Sequence, residues 1–332
     1  FMKYLVYASL IISGASIAQD APQYAISAIN ANKTLLTDIT NTGAALVAVG
    51  KHGTVITSKN AEQWQQAQSV PTQVLLTAVD FSNDTHGWAC GHDATIINTT
   101  DGGLNWQLQQ AKPELDKPCL DIYFEDESNG FAVGAYGMFY QTSDGGKHWH
   151  KRFLDSLLFS EDREYLNDLK ENDPQGYEAE TTSILPHFNR IEKTDSGLML
   201  VGEMGLMAKS SDNGQTWQRL DEIYPGSFFA VASDAQQEIV AGLRGNVFAK
   251  NKNEQQWQHF ENVKTATVNN IINYNNEHWL LLANSGVIFH LKDGLLTHEQ
   301  RPDGKAILDG VIINNKLVMA TEDGIKVKEL NP

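Results

Sequence analysis

Basic residues, cysteines and long apolar runs are all scarce in this chain of 332 residues. With 25 basic against 41 acidic side chains the net charge is -16, which argues against nucleic acid and against adsorption to an anionic membrane surface. No stretch is long enough for a comfortable membrane-spanning helix, and no glycine loop of the Walker or dinucleotide type occurs. The informative features of the chain are its repeats.

The N-terminus has the composition of a secretory signal. Lys3 supplies the basic start, residues 4–12 form a short apolar run, and Ser16-Ile17-Ala18 is a small-residue cleavage site. This pattern predicts a signal peptide over residues 1–18 and a mature chain of residues 19–332 that is periplasmic or secreted. No cysteine lies near the cleavage site, which argues against a lipid anchor.

One motif recurs along the chain: Gly-x-x-Gly, an alternating strand, a Ser/Thr-x-Asp-x-Gly turn, and then tryptophan. Its clearest copy occupies residues 202–217. The leading glycines are spaced by 41, 43, 68 and 40 residues, and they are Gly50, Gly91, Gly134, Gly202 and Gly242. The tryptophans are spaced by 42, 43, 68 and 40 residues, and they are Trp64, Trp106, Trp149, Trp217 and Trp257. Both markers indicate a period near 42 residues with one insertion of about 26 residues.

This period suits a propeller blade of four short antiparallel strands, because apolar residues alternate with polar ones and do not follow helical spacing. Two fainter copies follow, and seven inner strands can be recognised. The sequence therefore predicts an all-β, seven-bladed β-propeller as the single domain of residues 19–332. The last copy leaves no room for a fourth strand, so we expect residues 23–29 to complete the seventh blade.

The repeated Asp, Gly and Trp residues each have a structural explanation. An aspartate in a tight turn accepts hydrogen bonds from backbone N–H groups, and glycine supplies the positive φ that the hairpin requires. The tryptophan that follows can bury on the order of 150–250 Å² of surface. We therefore interpret as scaffold the residues Asp101, Asp144, Asp212, Trp106, Trp149 and Trp217.

Residues 210–217 match the Asp-box of BNR-type repeats, Ser-x-Asp-x-Gly-x-Thr-Trp, at every fixed position. With the preceding Gly-x-x-Gly, the longer motif resembles the photosystem II stability/assembly factor-like propellers over about residues 35–328. The resemblance implies an assembly factor and not an enzyme. For members from non-phototrophic bacteria it implies an exported propeller, in some cases associated with RND-superfamily permeases.

One insertion interrupts the period, at about residues 153–180 between blades 3 and 4. It holds nine acidic and two basic side chains in 28 residues. Leucines spaced by three and four, with acids between them, predict a short amphipathic helix over about residues 155–171 that ends near Asn172-Asp173-Pro174. A solvated loop whose leucines pack on the propeller is the alternative interpretation.

Strand direction in an up-and-down blade places this insertion on the face that also carries the turns between the second and third strands. Side chains on those turns vary while the glycines around them repeat, which is how a scaffold carries a site. We predict that this face contacts a partner through His52, His92, Tyr136, Met204, Arg244, Glu161, Tyr165 and Asp168. The alternative is that these are ordinary solvated residues.

The two cysteines fall at the end of the second strand of blade 2, Cys90, and at the start of the inner strand of blade 3, Cys119. Both points lie near the same face of a propeller, and neighbouring blades touch. An oxidising compartment would let the cysteines form a disulfide, and two buried thiols are the alternative.

Catalytic interpretations find little support in the chain. A sialidase would need an arginine trio and a Tyr–Glu pair, and only Arg190 and Arg244 fall near the inner strands or the central face. Asp38 and Asp121 could face the channel, but in non-adjacent blades, where polar groups that hold water are the simpler interpretation. The pair His148 and His150 lacks an evident third ligand. We expect no metal and no cofactor.

The predicted function is that of a non-enzymatic, exported scaffold. It would dock a protein partner and assist the assembly or operation of a membrane complex such as an RND-type exporter. Two alternatives remain: a carbohydrate-binding or glycoside-hydrolysing Asp-box propeller, and a periplasmic binder of a small or lipidic ligand. An apolar site for such a ligand could be lined by Phe188, Phe228, Phe229 and Tyr123.

Overall fold

The structure is a computed structural model that describes residues 22–261, 263–275 and 278–330. Within these ranges the chain forms seven antiparallel sheets whose inner strands contact one another in sequence, and the first also contacts the seventh. This closed ring confirms the predicted seven-bladed propeller. The signal peptide predicted at residues 1–18 lies outside the described residues. No described helix combines the length and apolar character needed to cross a bilayer.

Strand order follows chain order in every blade, from the inner strand at the central channel outwards. Blade 1 consists of β1 Leu36–Asn41, β2 Leu46–Gly50, β3 Val55–Ser58 and β4 Gln65–Gln66. Blade 2 consists of β5 Leu76–Phe81, β6 Gly87–Gly91, β7 Thr95–Thr99 and β8 Gln107–Gln110. Blade 3 consists of β9 Cys119–Phe124, β10 Gly130–Gly134, β11 Met138–Thr142 and β12 His150–Lys151. Blade 4 consists of β13 Phe188–Thr194, β14 Gly197–Gly202, β15 Met207–Ser210 and β16 Gln218–Arg219. Blade 5 consists of β17 Phe228–Ser233, β18 Gln237–Gly242, β19 Val247–Asn251 and β20 Gln258–Phe260. Blade 6 consists of β21 Val268–Asn275, β22 His278–Ala283, β23 Val287–Lys292 and β24 Leu295–Gln300. Blade 7 consists of β25 Ile307–Ile313, β26 Lys316–Thr321 and β27 Gly324–Glu329.

The second strand of a blade is its most buried element. Every residue of β2, β6 and β10 is buried, whichever side of the sheet it faces. Neighbouring blades cover both faces of such a strand, so its sequence is continuously apolar instead of alternating. The hydrophobic core is accordingly a set of layers between blades. Trp106 packs in the layer between blades 1 and 2, and Trp217 in the layer between blades 3 and 4.

We call one side of the ring the link face. It carries the links between blades, the insertion, the turns between second and third strands, and residues 22–34. At four junctions the backbone N–H of a turn residue donates to a carbonyl two residues before the next inner strand, over 2.8–3.0 Å. The donors are Gly53, Ala94, Gly137 and Gly205, and the acceptors are Val74, Lys117, Pro186 and Gly226. These bonds hold each turn at a fixed place relative to the following blade.

The seventh blade has three strands within the described residues. The prediction that residues 23–29 supply its fourth strand is wrong. Instead the Ala25 N–H donates to the Val70 carbonyl at 2.9 Å, which holds this segment against the link between blades 1 and 2. The seam between blades 7 and 1 is closed by the inner strands, where the Asp309 carboxylate accepts from the Ile39 N–H at 3.0 Å.

The insertion contains a 3-10 turn at Asp155–Leu157, helix α1 at Ser160–Asn172 and helix α2 at Pro174–Glu180. The predicted helix ends where expected but begins at Ser160 instead of about residue 155, and α2 was not predicted. This helix begins at once because the Asp173 carboxylate accepts from the Gly176 N–H and proline is favoured at the first helical position. Several side chains of the insertion are buried against blades 3 and 4, namely Leu154, Leu157, Leu158 and Leu166.

Cys90 at the end of β6 and Cys119 at the start of β9 form a disulfide, with their Cα atoms 5.8 Å apart. Both residues are fully buried. The bond joins the second strand of blade 2 to the inner strand of blade 3, so it cross-links two adjacent blades.

Candidate binding face

Six turns on the link face share one backbone conformation. Both central residues have positive φ, with the first between 53° and 61°. In blade 1 the Thr54 N–H closes the turn by donating to the Lys51 carbonyl at 3.1 Å. These are the features of type I′ turns, which match the twist of an antiparallel hairpin. The central pairs are His52-Gly53, Asp93-Ala94, Tyr136-Gly137, Met204-Gly205, Arg244-Gly245 and Ser285-Gly286.

The first central position of these turns holds side chains that the conformation disfavours. Asparagine, aspartate or glycine adopts positive φ most readily, whereas the left-handed region costs other L-residues roughly 1–2 kcal/mol. Histidine, tyrosine, methionine and arginine occupy the position in four of the six turns, and each is exposed. A bulky side chain at a strained, exposed position indicates a role in contact rather than in stability.

The structure brings most of the predicted turn residues to this one position, which is occupied by His52, Tyr136, Met204 and Arg244. His92 is exposed but stands one residue earlier in its turn, so that Asp93 takes the equivalent position in blade 2. Asp93 and Ser285 are absent from the predicted set. Ser285 could have been identified because it precedes Gly286, the glycine that marks these turns, whereas Asp93 precedes Ala94 and has no such signal.

Exposed large apolar side chains concentrate on the link face. Ten such residues occur in the described part of the chain, and seven of them lie on this face: Tyr24, Ile26, Ile29, Tyr136, Tyr165, Met204 and Val263. Leu295 lies beside a turn on the opposite face, while Leu108 and Val327 lie on strands. This concentration makes the link face the candidate interaction surface.

The insertion is anchored to blade 4 and presents an acidic side to solvent. The Arg219 guanidinium donates to the Leu157 carbonyl at 2.8 Å and lies 3.7 Å from the centre of the Phe159 ring. The predicted contact residues on α1 all point away from the core, and they are Glu161, Tyr165 and Asp168. The insertion therefore adds exposed carboxylates to the rim of the link face.

A cavity of about 230 Å³ lies on the link face where the insertion returns to blade 3. Its lining includes Lys117, Tyr136, Tyr140, Lys151 and Thr182. Only Tyr136 among these was expected from the sequence, because Lys117 lies in the link between blades 2 and 3, Lys151 lies in β12, and nothing in the repeat pattern pairs them.

The central channel, of about 530 Å³, is lined by carboxylates that bind the backbone. The Asp38 carboxylate accepts from the Val79 N–H at 2.6 Å, and the Asp121 carboxylate accepts from the Ile191 N–H at 2.7 Å. Each bond ties one inner strand to the next, so these aspartates have a structural role that needs no catalysis. The channel also contains carboxylates that the sequence did not reveal, namely Asp80, Glu192 and Asp309.

Burial disfavours the charged form of two of these acids, Asp80 and Glu192. It raises the pKa of Asp80 to about 6. Burial, with the neighbouring Asp121 carboxylate, raises the pKa of Glu192 to about 8. Arg190, one of the two arginines expected near the channel, lines the wall with its guanidinium 3.4 Å from Asp121.

The Asp-box aspartates bind their own turns. Asp212 accepts from the Thr216 hydroxyl at 2.6 Å and from its backbone N–H at 2.8 Å, and these bonds lower the pKa of Asp212 to about 2. Asp101 accepts from the Asn105 N–H at 2.9 Å in the same way. Asp144 accepts from the backbone and ring of His148, so that histidine is engaged within the turn.

Three of the four aromatic residues considered for an apolar ligand have other roles. Phe188 and Phe228 are fully buried in the layers between blades and do not line a ligand site. The Tyr123 hydroxyl donates to Glu125 at 3.0 Å beside the channel.

Of the Asp-box tryptophans, Trp106 and Trp217 are buried and Trp149 is partly buried.

Comparison with known proteins finds a matching family model, described as Photosynthesis system II assembly factor YCF48, over residues 56–117 and 108–200. The Photosystem II assembly protein Ycf48 of Synechococcus sp. (strain JA-3-3Ab) is 45% identical over 49 residues, which are 14% of this chain and 14% of that protein. The chain thus matches about a seventh of the length of this curated relative.

Solved structures share the fold across most of the chain. The structure described as "YCF48 bound to D1 peptide" has a TM-score of 0.67 and 15% identity, over 91% of this chain and 95% of that one. "YCF48 from Cyanidioschyzon merolae" has a TM-score of 0.64 and 15% identity, over 93% of this chain and 99% of that one. At this level of identity the likeness establishes the fold alone.

Proposed function

The chain is a photosystem II assembly factor-like β-propeller, and from that premise we propose that it is a non-enzymatic scaffold that binds a protein partner during the assembly of a membrane complex. One solved propeller of this kind is described as bound to a D1 peptide, and the curated relative is named as an assembly protein. This support concerns an assembly role, and it does not extend to an RND-type exporter or to a carbohydrate ligand.

The link face is the surface that we assign to the partner. The observation that carries this assignment is the set of bulky, exposed side chains at the first central position of type I′ turns, where they cause backbone strain. Exposed apolar residues on the same side of the ring agree with it. A segment of the partner lying across the ring would contact the turns of successive blades.

The mechanism is presentation by a rigid platform. Each of four turns is bound through its backbone to the link that precedes the next blade, so the contact side chains need little ordering when a partner arrives. We also propose that the mature chain acts in the periplasm or outside the cell. The signal-like N-terminal sequence and the disulfide support that location.

Site-specific photo-cross-linking tests the assignment. A photoreactive residue replaces Met204, which is 55% exposed on the link face, or Leu295, which is 68% exposed on the opposite face. The two variants are matched because both replace one exposed apolar side chain on the same ring. Each is mixed with membranes from the cells that make the protein and then irradiated.

We expect a membrane polypeptide to be cross-linked at Met204 and not at Leu295. The substitution Tyr136→Asp on the same face should reduce this product several-fold, because it introduces a charge among exposed apolar contacts. Equal cross-linking at both positions, or a product at Leu295 alone, would show that the link face is not the binding surface.

A further inference from the structure

Three lysines that form no ion pair with a described carboxylate lie in or beside the cavity between the insertion and blade 3. Lys117 and Lys151 line it, and Lys112 lies beside it with its ammonium 3.2 Å from the Tyr140 hydroxyl. None of the three lysines forms an ion pair in the described ranges, although the chain carries a net charge of -16. Glu114, a carboxylate in the lining, is exposed and pairs with none of them.

Three hydrogen-bond donors converge on this cavity. Tyr140 is only 1% exposed, and its hydroxyl accepts from Lys112. An ammonium group cannot accept in return, so the hydroxyl proton remains for an acceptor in the cavity. Lys151 is the direct cross-strand neighbour of Tyr140, which puts both side chains on one side of the sheet. Lys117 donates one of its three hydrogens to the Thr182 carbonyl.

The ammonium groups of Lys117 and Lys151 favour the binding of an anion in the cavity. Burial and the neighbouring charge of Lys151 both lower the pKa of Lys117. An anion between the two ammonium groups would relieve their repulsion and accept from both. The volume of about 230 Å³ is below the range of roughly 300–1,000 Å³ that is usual for small-molecule sites, and it suits a single carboxylate group better than a nucleotide.

We propose that this cavity receives a carboxylate of the partner segment, from an acidic side chain or a chain terminus. The carboxylate accepts from the Tyr140 hydroxyl, Lys117 and Lys151. The inference rests on the proposed function, because the cavity opens beside Tyr136, whose ring centre lies 5.6 Å from the Lys117 ammonium. A segment that crosses the link face is therefore anchored at blade 3 by one negative charge.

The test is an array of synthetic decapeptides of mixed apolar and polar sequence, each made in three forms with Glu, Gln or Lys at its centre. Additional copies end at the central position with a free or an amidated C-terminus, which separates a terminal carboxylate from a side-chain one. The array is probed with the mature chain and with the variants Lys117→Gln and Lys151→Glu. Lys147→Gln is the matched control, because Lys147 is an exposed lysine of the same blade beside the Asp-box turn on the opposite face.

We expect peptides with a carboxylate at the tested position to bind at least tenfold more tightly than their neutral forms, with the preference lost in both cavity variants and kept in Lys147→Gln. The preference should also fall as salt is raised, since screening weakens exposed charges. Lys151→Glu, at an exposed position, keeps the test valid if Lys117→Gln disturbs the insertion.

Two outcomes overturn the cavity assignment while leaving the proposed function intact. In one, wild type binds Glu and Gln forms equally in a manner that depends on Met204. In the other, Lys147→Gln loses the preference as fully as the cavity variants, so that overall charge is the cause. Binding of no peptide by the wild type would count against the proposed function as well.

Discussion

Replacing Met204 with asparagine should stabilise the propeller while weakening its contact with a partner. Met204 has a φ of 53° and precedes Gly205, which has a φ of 67°. The left-handed region costs an ordinary L-residue roughly 1–2 kcal/mol, whereas asparagine adopts it readily because its short side chain hydrogen-bonds locally. Asn-Gly is also the preferred central pair of a type I′ turn.

The gain has to be set against lost burial. Met204 is 55% exposed, so less than half of the roughly 1.5–3 kcal/mol for a fully buried methionine is at stake, and the asparagine stem recovers part of it. The expected net gain in the free energy of unfolding is about 0.5–1 kcal/mol. Tyr136→Asn should give a gain near zero, because the Tyr136 ring also makes an edge contact with His187 at 4.6 Å.

Urea denaturation of wild type, Met204→Asn and Met204→Ala measures the effect. Met204→Ala is the matched control, since alanine removes the side chain but keeps an ordinary L-residue at positive φ, and it should gain nothing. An asparagine variant no more stable than wild type, or an equal gain in the alanine variant, would refute the strain argument. Cross-linking through the remaining turns of the link face should fall in both variants.

Two further predictions concern the cross-link and the channel. The double substitution Cys90→Ala and Cys119→Ala should lower the free energy of unfolding by about 3–4 kcal/mol in urea, because the disulfide closes a loop with a sequence separation of 29. The free energy of unfolding should fall as pH rises from about 4 to about 8, because the folded-state pKa values of Asp80, about 6, and Glu192, about 8, stand above their unfolded values. Acids of this kind stabilise the fold below their unfolded pKa, and that contribution is lost as pH passes the folded pKa, so Asp80→Asn should flatten the profile between about pH 4 and 6.

Each of these has a clear contrary result. A double alanine variant as stable as the oxidised wild type would mean that the disulfide does not restrict the unfolded chain. The prediction for the channel acids is tested by measuring the urea midpoints of wild type and Asp80→Asn at a series of pH values. A stability that rises across this range, or a profile that Asp80→Asn leaves unchanged, would contradict the assignment of burial as the cause.

Much of the candidate binding face can be predicted from the repeat, because the direction of a strand follows from counting strands within a blade. This counting brings Tyr136 and Met204 to one side of the ring together with the insertion. It cannot identify Asp93 as the equivalent residue in blade 2, since Ala94 replaces the glycine that marks the other turns. Nor can it show that α2 follows directly on α1, which depends on a hydrogen bond that the Asp173 carboxylate accepts from the Gly176 N–H.

The sequence by itself determined the ring, its blade number and its Asp-box turns. The Asp-box turn is a local property of a few consecutive residues, and the ring and its blade number follow from the number of times the unit repeats along the chain. Tertiary structure alone decided the path of residues 22–29, the meeting of Lys117 with Lys151, and the cluster of acids in the channel. These features depend on segments distant in the chain and on competing partners of similar energy. The Ala25 N–H, for example, binds Val70 and not the edge of blade 7, and nothing in its own sequence neighbourhood selects between the two.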